Sequence, residues 1–214
     1  MKLKLKIKSI KKDYLQLTLF SACFSLIITF VFSAYNAYLG IKFGDAFAIG
    51  ISIYYFLLFW IKTATLIVEK IIDKTDERKQ KSVRIKNFII SSIFIFVIDF
   101  CLIAPIVLMI VMPKDVKFGI IPAIAIAAYT VYKITASIIN YSKSKKTENP
   151  TILLLREIDV VDSLVSILTL QHTLIMVNGG MSGSMRQLSF VTSIVFIFAI
   201  ILFSVLSFER RSAR

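Results

Sequence analysis

The chain has 214 residues, 57% of them hydrophobic, a mean hydropathy of +0.79 and a formal net charge of +13. That apolar fraction excludes a soluble globular domain. The 26 Lys and Arg against 13 Asp and Glu lie between apolar runs, so membrane orientation accounts for them and nucleic-acid binding is not implied. The abundance of Ile, Lys and Phe, encoded by AT-rich codons, points to a bacterial source. The reading is an all-α polytopic transmembrane helix bundle forming a single domain, because an open strand in lipid leaves backbone groups unpaired.

Residues 1–13 form a basic leader (Lys2, Lys4, Lys6, Lys8, Lys11 and Lys12) suited to anionic head groups. The first span is predicted at about 15–35. It is too long for a secretory signal, and Phe32-Ser33-Ala34-Tyr35 offers no small-x-small cleavage site. Within it Ser21, Ser25, Thr29 and Ser33 recur at a spacing of four. Such a ladder predicts close helix packing, within the chain or against a partner, with a polar cavity as the alternative. Further spans are predicted at 46–68, 88–112, 118–141 and 188–208, followed by a basic tail at 209–214. Pro105 lies inside the third of these and predicts a kink, whereas Pro113, Pro122 and Pro150 fall near span ends. Residues 178–184 read as a flexible outer loop. Cys23 and Cys101 sit in apolar runs and imply no disulfide.

One element is ambiguous. Residues 152–177 begin with Arg156, Glu157, Asp159 and Asp162, and the uncharged part is only Ser163 to Val177. Alone it fits a surface helix as well as a span. Counting Lys and Arg decides for a sixth span at about 157–177, because both termini, the loop at 69–87 and Lys143, Lys145, Lys146 and Arg156 then share the cytoplasmic side. Only Lys42, Lys114, Lys117 and Arg186 remain outside.

Ionisable groups inside a membrane are costly and are functional candidates by default. At 1.5 Å per residue from the cytoplasmic ends, Asp99 lies roughly 16 Å deep, Lys133 about 12 Å, Lys62 about 9 Å and Asp162 about 8 Å. Asp99 with Lys133 is the expected pair, or else Asp99 is a buried carboxyl that fixes helix register. Lys62 is expected to snorkel to the head groups. Asp159, Asp162, Ser166, Thr169 and Thr173 follow steps of three and four and predict a polar stripe along one helix face. Thr130, Lys133, Ser137 and Asn140 repeat the idea in the preceding span. His172, the only histidine, is expected to bond between helices beside Gln171; no metal ligand set and no cofactor motif is present.

Tyr35-Asn36-Ala37-Tyr38-Leu39-Gly40-Ile41, Tyr54-Tyr55, Tyr129-Thr130-Val131-Tyr132-Lys133 and Leu164-Val165-Ser166-Ile167-Leu168-Thr169-Leu170-Gln171 resemble a pattern in uncharacterised small multi-spanning proteins of Gram-positive bacteria. The resemblance implies a membrane location and a helical fold, and supplies no activity. By size and span count the chain is also similar to substrate-binding subunits of energy-coupling-factor importers, whose first helix docks a partner through small residues. Here that spacing is met by serines and Thr29 instead of alanines.

The expected function is binding or transport of a small polar solute or ion along the polar face, with Asp99, Lys133, Asp159, Asp162, Ser166, Thr169, His172 and Thr173 on its pathway. The alternative is a non-transporting subunit or regulator that docks a partner membrane protein, a second copy or anionic lipid. A third reading, an intramembrane enzyme, would use Asp159 and Asp162 to hold a metal.

Overall fold

The computed structural model describes residues 2–72, 77–111, 119–145, 149–178 and 183–212, and the side chains of the first helix from Leu17 onward. Among the described residues the chain is all helix: α1 (Lys2–Phe43), α2 (Ala46–Ile72), α3 (Glu77–Cys101), α4 (Ile103–Val111), α5 (Ile120–Ser144), α6 (Pro150–Val177) and α7 (Gly183–Ser212). Six stretches are long and apolar enough to cross a membrane, with α3 and α4 together making the third. The ambiguous segment is one of them, a 28-residue helix from Pro150 to Val177. Pro113, Lys114, Lys117 and most of the expected outer loop at 178–184 lie outside the described residues.

Local chemistry sets the helix ends. Between α1 and α2, Gly44 takes φ 63°, a left-handed turn that L side chains resist. Asp45 then caps α2 by accepting the Phe47 amide at 3.0 Å. Asn149 caps α6 in the same way, accepting the Thr151 amide at 2.9 Å, and Pro150 occupies the first turn where its missing N–H is not needed. The expected kink is present: α3 stops at Cys101 and α4 starts at Ile103, since Pro105 has no N–H to offer the Cys101 carbonyl. Bonds from Leu102 N–H to the Asp99 carbonyl and from Ile106 N–H to the Leu102 carbonyl, 3.2 and 3.4 Å, carry the chain through the break.

α6 is the central helix. It packs against α1, α2, α3, α5 and α7, and 67% of its span is buried, against 17–39% for the others. Its apolar face (Leu154, Ile158, Val161, Val165 and Leu168) joins Ile51, Tyr54 and Leu58 of α2 and Ile95, Ile98 and Leu102 around α3 in one core. The surrounding helices turn large apolar side chains outward, among them Phe20, Trp60, Ile121 and Phe198, as a lipid-facing surface requires. α1 lies on α2 and α6, and α5 on α6, while α1 and α5 meet through the stacked rings of Phe32 and Tyr129, 4.9 Å apart between centroids.

Where α2 meets α4 the approach is close: a Cβ at Gly50 would lie 2.6 Å from the Cβ of Pro105. Gly50→Val is therefore expected to cost about 1–3 kcal/mol through overpacking. Gly183→Val, which meets nothing within 4 Å, should stay within about 0.5 kcal/mol of the parent. Thermal unfolding in detergent micelles distinguishes the two, and equal melting would contradict this packing.

Candidate functional site

The acidic start of α6 is the centre of a buried charge network. Asp162 Oδ1 lies 2.6 Å from Lys133 Nζ of α5, and its Oδ2 lies 3.0 Å from Lys62 Nζ of α2. Thr29 of α1 donates to the same Oδ2 at 3.2 Å. Three residues earlier on α6, Asp159 Oδ1 takes Lys62 at 3.1 Å and the Ser25 hydroxyl at 2.9 Å, while its Oδ2 takes Arg156 Nη1 at 3.2 Å. Arg156 Nη1 also donates to Ser21 at 3.4 Å. Lys62 completes its shell by donating to Ser25 and Thr29 at 3.0 and 3.2 Å.

The small-residue ladder therefore packs within the chain. Ser21, Ser25 and Thr29 bond to charged groups, and Ser33 exchanges hydrogen bonds with Ser52 of α2, donating to its carbonyl at 2.9 Å. A serine or threonine hydroxyl at each of these steps permits close helix approach and supplies a polar partner, which an alanine does not.

Two sequence expectations are corrected. Lys62 does not snorkel. It is 1% exposed and lies ten residues from the end of its span, about 15 Å at 1.5 Å per residue, further than its side chain can reach. Asp99 does not pair with Lys133. It faces α2 and α7, accepting from Tyr54 at 3.2 Å and Ser204 at 2.6 Å, because Lys133 is taken by the nearer carboxylate of Asp162. Asp99 is thus the buried carboxyl of the alternative reading.

The polar stripe of α6 divides at Asp162. Beyond it Ser166, Thr169 and Thr173 are buried and donate to carbonyls of their own helix, those of Ser163, Val165 and Thr169. None of Ser166, Thr169 and Thr173 lines the groove along α6 and α7 or the crevice between α1 and α5. His172 does bond between helices, to Asp45 Oδ2 at 2.7 Å, with the Phe47 ring centroid 4.3 Å from its own. Burial raises the Asp45 carboxyl, but the His172 hydrogen bond and charge and the Phe47 and Ala48 amides together hold it below the ordinary value. Gln171 donates to Ser189 and Thr192 of α7 at 2.9 and 2.7 Å. Nearer the start of α6, Glu69 is held by Arg84 at 2.7 Å and by the Thr151 hydroxyl at 2.6 Å.

Lys133 has an unusual setting. Its ammonium stands 5.7 Å from the ring centroids of Phe32 and Tyr129 and 5.4 Å from that of Tyr55, an aromatic cage closed by Asp162. Beside it a crevice of about 100 Å³ opens where α1 and α5 part, walled by Phe24 and Ile28, by Tyr132 and Asn140, and floored by Arg156 and Asp159. Larger grooves of about 350 Å³ run along α6 with α7 and along α2 with α4, but they are apolar and lie away from the charges.

Arg156, Lys62 and the three rings were not among the residues expected on the pathway. The signal for Arg156 was present, since it precedes Asp159 by the same three-residue step that separates Asp159 from Asp162. Comparison with protein-family models, curated proteins and solved structures finds no match to this chain.

Removing one partner of a buried ion pair strands the other. Lys62→Met, which leaves Asp159 and Asp162 short of a cation, is expected to cost about 3 kcal/mol or more. Asp99→Asn, which keeps an acceptor for one of Tyr54 and Ser204 and turns an NH₂ toward the other, whose hydroxyl rotates to accept, should cost about 1 kcal/mol or less. Unfolding by titration with dodecyl sulfate in mixed micelles measures both; the reverse order would contradict the assigned roles.

Proposed function

We propose that this multi-pass membrane protein, with both termini cytoplasmic, binds or transports a small polar solute or ion at the polar interface of α1, α5 and α6. The observation that carries the reading is the network around Asp162, set near the middle of α6 and bordered by a crevice. Buried ion pairs add little net stability compared with apolar packing, so a network of two lysines, one arginine and two aspartates is poorly explained as a structural brace. Ionisable side chains in such a place mark binding sites and pathways.

Asp99 drops from the pathway in this reading, and Lys62 and Arg156 join Lys133, Asp159 and Asp162. The cytoplasmic orientation rests on the excess of Lys and Arg in the leader, the loop at 69–87 and the tail. Those same basic segments support the second reading, a non-transporting subunit that meets anionic head groups or a partner membrane protein.

The test is a thermal-shift panel of small polar solutes and ions on the purified chain. At least one compound should stabilise the parent and Asp99→Asn but not Lys133→Leu. Stabilisation that survives Lys133→Leu would overturn the reading. So would a panel without response from a chain that copurifies with a stoichiometric membrane protein, an outcome that selects the subunit.

A further inference from the structure

The crevice between α1 and α5 is chemically one-sided. Asp162 receives Lys133, Lys62 and Thr29, and Asp159 receives Lys62, Ser25 and Arg156, so both carboxylates are already met by donors. The cations are not equally satisfied. Lys62 has four oxygen partners, but Lys133 makes a single hydrogen bond with its three N–H groups, and the buried Nε of Arg156 makes none. Three cations stand against two carboxylates, an excess of one positive charge among the described residues of the site. Free donors and surplus positive charge together call for an oxyanion.

Size and position narrow the class. A volume of about 100 Å³ is well below the roughly 300–1,000 Å³ that encloses a whole small-molecule ligand. It accepts one ionised group and leaves the rest of the molecule outside. What lies outside is the lateral gap between α1 and α5, framed by Phe24 and Tyr132, which are 62% and 68% exposed on the lipid-facing surface. A molecule with its charged group in the crevice thus has its remainder among acyl chains.

We propose that the crevice binds the acidic head group of an amphiphile, phosphodiester or carboxylate, which enters sideways from the bilayer between α1 and α5 and is held by Arg156 and Lys133. This deepens the solute-binding reading and rests on it. Asp159 lies in the same crevice, and its contacts with Lys62, Ser25 and Arg156 keep its charge from repelling the ligand.

Native mass spectrometry of the full chain, released from phosphatidylcholine vesicles containing one-fifth phosphatidylglycerol or oleate, tests the proposal. The parent should retain one acidic amphiphile per chain in preference to phosphatidylcholine. Arg156→Gln should reduce that retention at least tenfold. Because Arg156→Gln also disturbs Asp159, Ala136→Leu supplies a second arm: it fills the crevice, leaves every charge in place and should reduce retention with unchanged melting. The phosphatidylglycerol and oleate arms separate phosphodiester from carboxylate. Equal retention of phosphatidylcholine, or retention undiminished in Ala136→Leu, would overturn the proposal. Thermal stabilisation by inorganic phosphate or acetate alone, without amphiphile retention, would overturn the amphiphile while leaving solute binding at this site standing. Loss of the proposal together with an unresponsive solute panel would remove both.

Discussion

The fold is organised by the need to surround a charged carboxylate in the middle of a membrane. Asp162 is buried, so its charge is met by Lys133 from α5 and Lys62 from α2, with Thr29 of α1 adding a hydroxyl. Partners on three different helices require those helices to converge on α6. Apolar packing alone does little to specify that convergence, because lipid chains are as apolar as the helix faces they compete with. The interlocking charges and hydroxyls specify which helix meets which, and at what height.

Further polar contacts along α6 extend the same logic. Thr151 meets Glu69, itself held by Arg84, near its start, Gln171 meets Ser189 and Thr192 of α7, and His172 meets Asp45 at the turn between α1 and α2. Each ties α6 to a different neighbour. Around Asp162 three cations stand against two carboxylates among the described residues, and a crevice of about 100 Å³ borders Lys133, Arg156 and Asp159 there. A purely structural network would be expected to balance its charges and fill its space. The imbalance is the observation on which the proposed ligand rests.

Much of this was legible in the residues. Apolar runs located the spans, Pro105 located the break between α3 and α4, and the three-and-four spacing along 159–173 put Asp159 and Asp162 on a common face of α6. The ambiguous span was ambiguous for a physical reason: α6 is screened from lipid by five helices, so it tolerates Arg156, Glu157, Asp159 and Asp162 where a lipid-facing helix could not. What spacing along one helix does not carry is the identity of a partner on another. Depth favoured Asp99 for Lys133, but depth says nothing about azimuth, and Asp99 points toward Tyr54 and Ser204. Lys62 was underrated because its depth was counted from the last apolar residue, whereas α2 continues to Ile72.

The central claim is that Asp162 is an ionised carboxylate bridging two lysines, and its vibrational signature tests that most directly. The infrared difference spectrum between the parent and Asp162→Asn in bilayers at neutral pH should show loss of a carboxylate stretch. Loss of a protonated carboxylic acid band instead would contradict the bridge, and with it the excess of positive charge assigned to the crevice.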